Sequence, residues 1–163
     1  MRIAIDASGA AETRATGIGN YIRWLLRGLA DLDAENQYAI CYRLSRLRYR
    51  HNFPRIEKPN FRTKIIHEPF NPLFMRRLDV FHGPDTRLPR WTSARKVVTC
   101  HDVAALVSDA YADERFRRMK IRRYQHVVER ADRIIAISES TRSDIVRHLG
   151  VAAGKITVVP LGV

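Results

Sequence analysis

A chain of 163 residues with 45% apolar content suits one globular domain built on a single core. No apolar run approaches the roughly 20 residues that span a bilayer, and the opening Met1–Asp6 is too short and too soon acidic for a secretory signal. With 29 Lys and Arg against 17 Asp and Glu, the formal net charge of +12 favours anionic partners: phosphorylated substrates, lipid headgroups or nucleic acid.

Arg2–Asp6 is predicted as a strand, followed by a polar loop rich in Gly, Ala and Thr. TGIGNY (Thr16–Tyr21) opens a predicted helix whose Ile18, Tyr21, Ile22, Leu25, Leu26 and Leu29 recur on one face. Gln37–Tyr42 reads as a second strand, and the basic stretch Arg43–Asn60, with two prolines, as a loop holding one short helix. Lys64–His67, Leu78–His82, Lys96–Cys100 and Arg133–Ile137 are further short apolar runs that read as strands, and Lys155–Pro160 is the last. The longest helical pattern is Tyr111–Ala131, with Phe116, Met119, Tyr124, Val127, Val128 and Ala131 expected to face the core. Ser138 is placed to cap the next helix and Gly150 to end it. Cys41 and Cys100 fall inside apolar strands and read as buried free thiols, which fits a reducing cytoplasm. Strands alternating with helices predict an α/β fold, a Rossmann-like open and mostly parallel sheet with helices on both faces.

In such a sheet ligands bind beyond the carboxyl ends of the strands. There the predicted strands deliver Asp6 and the Gly17–Gly19 turn, His82 to Asp85 (HGPD), His101 and Asp102, and Ser138 and Glu139. Glycines at a helix N-terminus let backbone N–H groups approach an anion, which the helix dipole also favours. The turn fails as a dinucleotide fingerprint: Ile22 stands where the third glycine belongs, and ten residues separate Asp6 from Gly17. No phosphate-binding P-loop string is present either. The histidines and cysteines have no metal-ligand spacing, and Asp31-Leu32-Asp33 sits at a helix end, where surface acids are commonplace. Neither a metal nor a cofactor is therefore expected.

The order TGIGNY, HGPD, VVTCHD, ADRIIAISESTRSDIVRHLGV and KITVVPLGV closely resembles the group 1 (family 4) retaining glycosyltransferases over nearly the whole chain. That resemblance implies one half of a GT-B fold, in which an N-terminal domain holds the acceptor and a C-terminal domain holds the nucleotide sugar. Residues 1–163 would be the acceptor-side domain, monomeric and inactive without the absent donor-binding domain. It implies His101 and Asp102 at the reaction centre, with His101 facing the donor sugar or the nascent bond. Gly17 and Gly19 would lie near the donor diphosphate, Asn20, Tyr21, His82 and Asp85 towards the acceptor, and Ser138 and Glu139 along the cleft. The implied reaction moves a sugar from a nucleotide sugar to a hydroxyl acceptor, in bacterial-type glycan or glycolipid assembly, without a metal.

A competing class is a non-catalytic basic module that binds anionic membrane or nucleic acid. Between Arg43 and Lys64 stand eight basic residues and one acidic one, and RFRRMKIRR (Arg115–Arg123) forms a second cluster. Neither contains a recognisable nucleic-acid-reading motif. Arg43, Arg46, Arg48 and Arg50 alternate with Leu44, Leu47, Tyr49 and Phe53, the mixture of an interfacial element. They are the expected membrane contact of a cytoplasmic protein peripheral to the inner face of the plasma membrane. Arg115–Arg123 is the lesser candidate, since its apolar face should be taken by the sheet.

Overall fold

The computed structural model describes residues 1–13, 16–67, 72–90, 92–107 and 114–162. The chain divides into two compact units, Met1–Pro84 with Pro89–Arg95, and Asp85–Leu88 with Lys96–Val163.

The first unit comprises β1 (Arg2–Asp6), α1 (Gly17–Leu32), β2 (Gln37–Arg43), β3 (Phe61–Ile66), the single turn α2 (Pro72–Met75) and β4 (Val80–Gly83). Its strands are parallel and ordered β3-β2-β1-β4. The chain winds outward from β1 to β3, then returns to pair β4 with the other edge of β1. In open α/β sheets such a reversal makes the carboxyl ends of the two central strands, here β1 and β4, the usual ligand position. Helix α1 buries Ile22, Leu26 and Ala30, spaced by four, within a core of Ile5, Tyr38, Ile40, Tyr42 and Phe61.

Two aromatic stacks extend this core. Tyr38 and Phe61 are register partners on β2 and β3, with ring centroids 4.5 Å apart. This pair explains why β3 starts three residues earlier than the apolar run Lys64–His67 suggests. Tyr42 stacks on Phe53 at 3.5 Å, drawing the basic segment after β2 onto the core. That segment contains a 3-10 helix, Leu44–Asn52.

Asp33 closes α1. Its carboxylate accepts from the Glu35 and Asn36 backbone N–H groups, Asn36 Nδ2 and the Tyr38 hydroxyl. These bonds, the Asn36 side chain first, hold its pKa well below the usual carboxylate range. The D-x-D string is thus half a helix stop.

The second unit continues with β5 (Arg95–Cys100), whose first residue belongs to the first unit, α3 (Ala104–Val107), α4 (Glu114–Arg130), β6 (Arg133–Ala136), α5 (Glu139–Leu149) and β7 (Ile156–Val158). Its strands are parallel, in the order β5-β6-β7. Ser138 caps α5 by accepting from the Thr141 N–H at 3.1 Å, and Gly150 ends it in the left-handed region at φ 65°. Both are as the sequence leads one to expect. Both cysteines are buried free thiols. The α/β, Rossmann-like reading thus holds.

One expectation fails in α4. Tyr124 and Val127 are buried, but Phe116 is 45% and Met119 37% exposed. The buried residues lie in the second half of the helix, while Arg117 in the first half reaches the Ala105 carbonyl on α3. Residues 111–113, which the sequence pattern makes the start of this helix, lie outside the described residues.

Candidate functional site

In the first unit, β1 ends in a carboxylate that is nearly fully buried. Asp6 is 5% exposed; its Oδ1 accepts from the Ser8 N–H at 3.0 Å, and its Oδ2 pairs with the Arg43 guanidinium at 3.1 Å. Ser8 Oγ accepts from the Arg43 N–H at 3.0 Å, so one arginine is held through both its backbone and its side chain. Together these bonds fix the loop after β1 against the end of β2. The loop turns through a short 3-10 helix, Ser8–Ala11, and meets the start of α1.

There Thr16 caps the helix, accepting from the Gly19 N–H at 3.0 Å. A Cβ on Gly19 would lie 3.0 Å from the Gly9 carbonyl oxygen, whereas one on Gly17 would meet nothing within 4 Å. Neither glycine has positive φ. Gly19 is therefore required by backbone approach, and Gly17 leaves open space at the helix tip.

A cavity of about 140 Å³ opens at this junction, lined by Gly9, Glu12, Thr16, Gly19, Asn20, Arg23 and Asn52 among others. Arg23 donates to the carbonyl oxygens of Ala10 and Asn52, tying the 3-10 turn to the basic segment. Glu12 pairs with Arg46 at 2.9 Å. The lining is mostly polar: it holds the Arg23 cation, the Glu12 carboxylate with its charge met by Arg46, and a helix N-terminus whose dipole favours anionic or hydroxyl oxygens. Of the sequence candidates, Asn20 lines this cavity, while Tyr21 packs against the core. Sequence reasoning does not single out Arg23 or Asn52. Arg23 is legible in principle, being one helical turn beyond Gly19; Asn52 arrives through a segment with no readable pattern.

His82 is the penultimate residue of β4, near its carboxyl end, but its side chain is buried. It pairs in register with Ile5, is 9% exposed, and burial pulls its pKa down to about 4, so the imidazole is neutral near pH 7.

In the second unit, β5 delivers His101 and Asp102. The His101 carbonyl accepts from the Thr141 hydroxyl at 3.2 Å, which brings the start of α5 and its Ser138 cap beside the end of β5. Asp102 Oδ1 accepts from the Ala104 N–H, opening α3, and its carbonyl accepts from the Tyr124 hydroxyl and the Cys100 thiol. Burial pushes that thiol up to about 12, so it stays protonated. Asp102 thus organises the turn that carries His101, which is itself half-exposed. Asp85 sits between Arg87 at 3.2 Å and Lys120 at 4.0 Å. Glu139 is exposed and pairs with Arg142 at 3.2 Å.

Of the four arginines expected at a membrane surface, Arg43 pairs with Asp6 and Arg46 with Glu12, while Arg48 stacks over Tyr49 and Arg50 is exposed. Among the described residues no three His, Cys, Asp or Glu side chains form a metal cluster, and no helix is long and apolar enough to cross a membrane.

Comparison with curated proteins gave no match. Among solved structures the chain is similar to the Anabaena protein Alr3699/HepE, crystallised in complex with UDP, with a TM-score of 0.54 and 13% identity. The similarity covers 99% of this chain and 44% of the other, so the chain spans less than half the length of that structure. The family model for Glycosyltransferase Family 4 matches residues 15–163. A match over that length, on a parallel α/β framework, shows that the chain belongs to glycosyltransferase family 4.

Proposed function

We propose that the chain is the acceptor-side half of a retaining transferase that moves a sugar from a nucleotide sugar to a hydroxyl, and that it is inactive without a donor-binding domain. In this reaction the anomeric C–O bond to the diphosphate breaks and a C–O bond to the acceptor oxygen forms on the same face. The acceptor's proton leaves with the diphosphate. The observation that carries the reading is the polar cavity at the N-terminus of α1, where Arg23 and the helix dipole can offset negative charge developing on a leaving diphosphate. The UDP bound by the HepE structure fits a nucleotide-sugar donor. His101 is assigned to the donor sugar or the nascent bond, and Asp102 to holding the turn that presents it. A hexosyl donor and a lipid-linked acceptor at the inner face of the plasma membrane complete the proposal.

The test is titration of the chain, extended by a donor-binding domain, with nucleotide sugars, NADP and an oligonucleotide at two salt concentrations. Saturable, weakly salt-dependent binding of a nucleotide sugar alone supports the reading. Selective binding of NADP, or of the oligonucleotide with steep salt dependence, refutes it.

A further inference from the structure

We infer that the acceptor is itself a glycoside, and that Trp24 is the platform for the sugar one unit behind the one that receives the new bond. This rests on the transferase reading and deepens it. Trp24 is 67% exposed on α1, although tryptophan is on average one of the more buried residue types. Asn20, Trp24, Arg27 and Asp31 are all exposed and spaced by four, three and four, so they share one stripe of the helix. The stripe begins at the cavity, which Asn20 lines. Helical Cα–Cβ bonds tilt towards the helix N-terminus, which aims the stripe at that cavity. Arg27 follows the tilt: its guanidinium lies over the Trp24 ring, 5.0 Å from the centroid. Gly28, four residues beyond Trp24, has no side chain to cover the ring, and a Cβ there would meet nothing within 4 Å.

These surroundings select the ligand. Among the described residues, the other large apolar side chain exposed on α1 is Leu32, two turns on and about 12 Å away along the axis. A stable protein interface needs about 800 Å² from each partner, far more than one indole supplies. A pyranose is the smaller target that fits, with an apolar C–H face for the ring and hydroxyls at its rim. The Asn20 amide and the Arg27 guanidinium stand where those hydroxyls would be. Neither makes a side-chain hydrogen bond or ion pair among the described residues. Asn20 and Trp24 are about 6 Å apart along the axis, comparable with the length of one pyranose unit. Asn20 therefore meets the sugar whose hydroxyl is glycosylated, and Trp24 the sugar before it.

The test is proton–nitrogen NMR titration of the 163-residue chain, following the Trp24 indole N–H, which Trp24→Phe identifies by its loss. The probes are the methyl glycosides of glucose, mannose and galactose, and cellobiose, mannobiose and galactobiose. At least one disaccharide should shift that resonance and bind about threefold or more tighter than its monosaccharide. Trp24→Ala should weaken that disaccharide by about threefold to tenfold and leave the monosaccharide unchanged, whereas Trp24→Phe should keep most of the gain. Gly28→Leu sets an aliphatic side chain beside the ring. It should weaken the disaccharide likewise while raising the unfolding midpoint, so the loss is not one of folding. Donor binding by the chain completed with a donor-binding domain should be the same for the parent and Trp24→Ala. Failure of the platform leaves that donor binding intact, whereas failure of the transferase reading removes it from both. Equal affinity for monosaccharide and disaccharide, parent-like disaccharide binding by Trp24→Ala, or a Trp24 resonance that no probe shifts would overturn the inference. So would Trp24 shifts that follow protein concentration without sugar, which would assign the ring to a second copy of the chain.

Discussion

Gly19 and Gly9 approach so closely that a Cβ on Gly19 would stand 3.0 Å from the Gly9 carbonyl oxygen. The loop after β1 and the first turn of α1 touch through backbone, and the cavity opens beside that contact. Gly19→Ala should therefore cost about 1–3 kcal/mol by overpacking. Gly17→Ala should be neutral or stabilise by roughly 0.5 kcal/mol, because the space is open and alanine restricts the unfolded chain. Urea unfolding separates the two. If a diphosphate approaches the helix tip, Gly17→Ala should still weaken donor binding in the complete enzyme.

The Asp6–Arg43 pair leads to a second expectation. Asp6 is buried and Arg43 is 40% exposed, so removing the arginine strands a carboxylate that solvent reaches poorly. Arg43→Ala should cost about 2 kcal/mol, below the value for a fully buried pair because solvent screens the exposed partner. Arg48→Ala should stay within about 0.5 kcal/mol of the parent. Comparable losses for both variants would mean that Arg43 is not a structural arginine.

His82 should make stability fall with acidity. Its folded pKa of about 4 lies below the ordinary histidine value of 6.5. Above pH 6.5 both states are neutral and no penalty arises. Between 6.5 and 4 the unfolded chain takes a proton that the folded chain refuses, so stability drops as pH falls, by about 3 kcal/mol in all. Chemical denaturation at about pH 7.5, 5.5 and 4.5 should show the slope, and His82→Gln should flatten it. An unchanged slope in the variant would place the titrating group elsewhere.

Much of this architecture is legible in the sequence because local rules decide it. Strand β1, the Ser138 cap and the Gly150 stop follow from apolar runs and helix-end chemistry, and the structure keeps them. What cannot be read depends on partners distant in sequence. Asp6 looks like a free edge carboxylate until Arg43, 37 residues later, is placed on it. Arg43 and Arg46 look like surface charge for the same reason. His82 does stand near the carboxyl end of its strand, but the apolar run before it gives no sign that its own side chain is buried. The face of α4 misleads because periodicity identifies an apolar stripe but cannot say over which turns the core reaches it. The cavity is half legible: glycine, Asn20 and Arg23 lie within two turns, but Asn52 enters through a 3-10 helix.

The central claim concerns His101, held at the end of β5 by the Thr141 bond to its carbonyl and half-exposed there. A group that acts mainly on the transition state changes rate more than binding. The most direct measurement is kcat for sugar transfer from a nucleotide sugar, by the chain completed with its donor-binding domain, for the parent and for His101→Ala. A loss of about 100-fold or more in kcat is expected, with little change in donor KM and an unfolding midpoint close to the parent's. A variant that keeps the parent's kcat, or one that loses activity only because it unfolds, would contradict it.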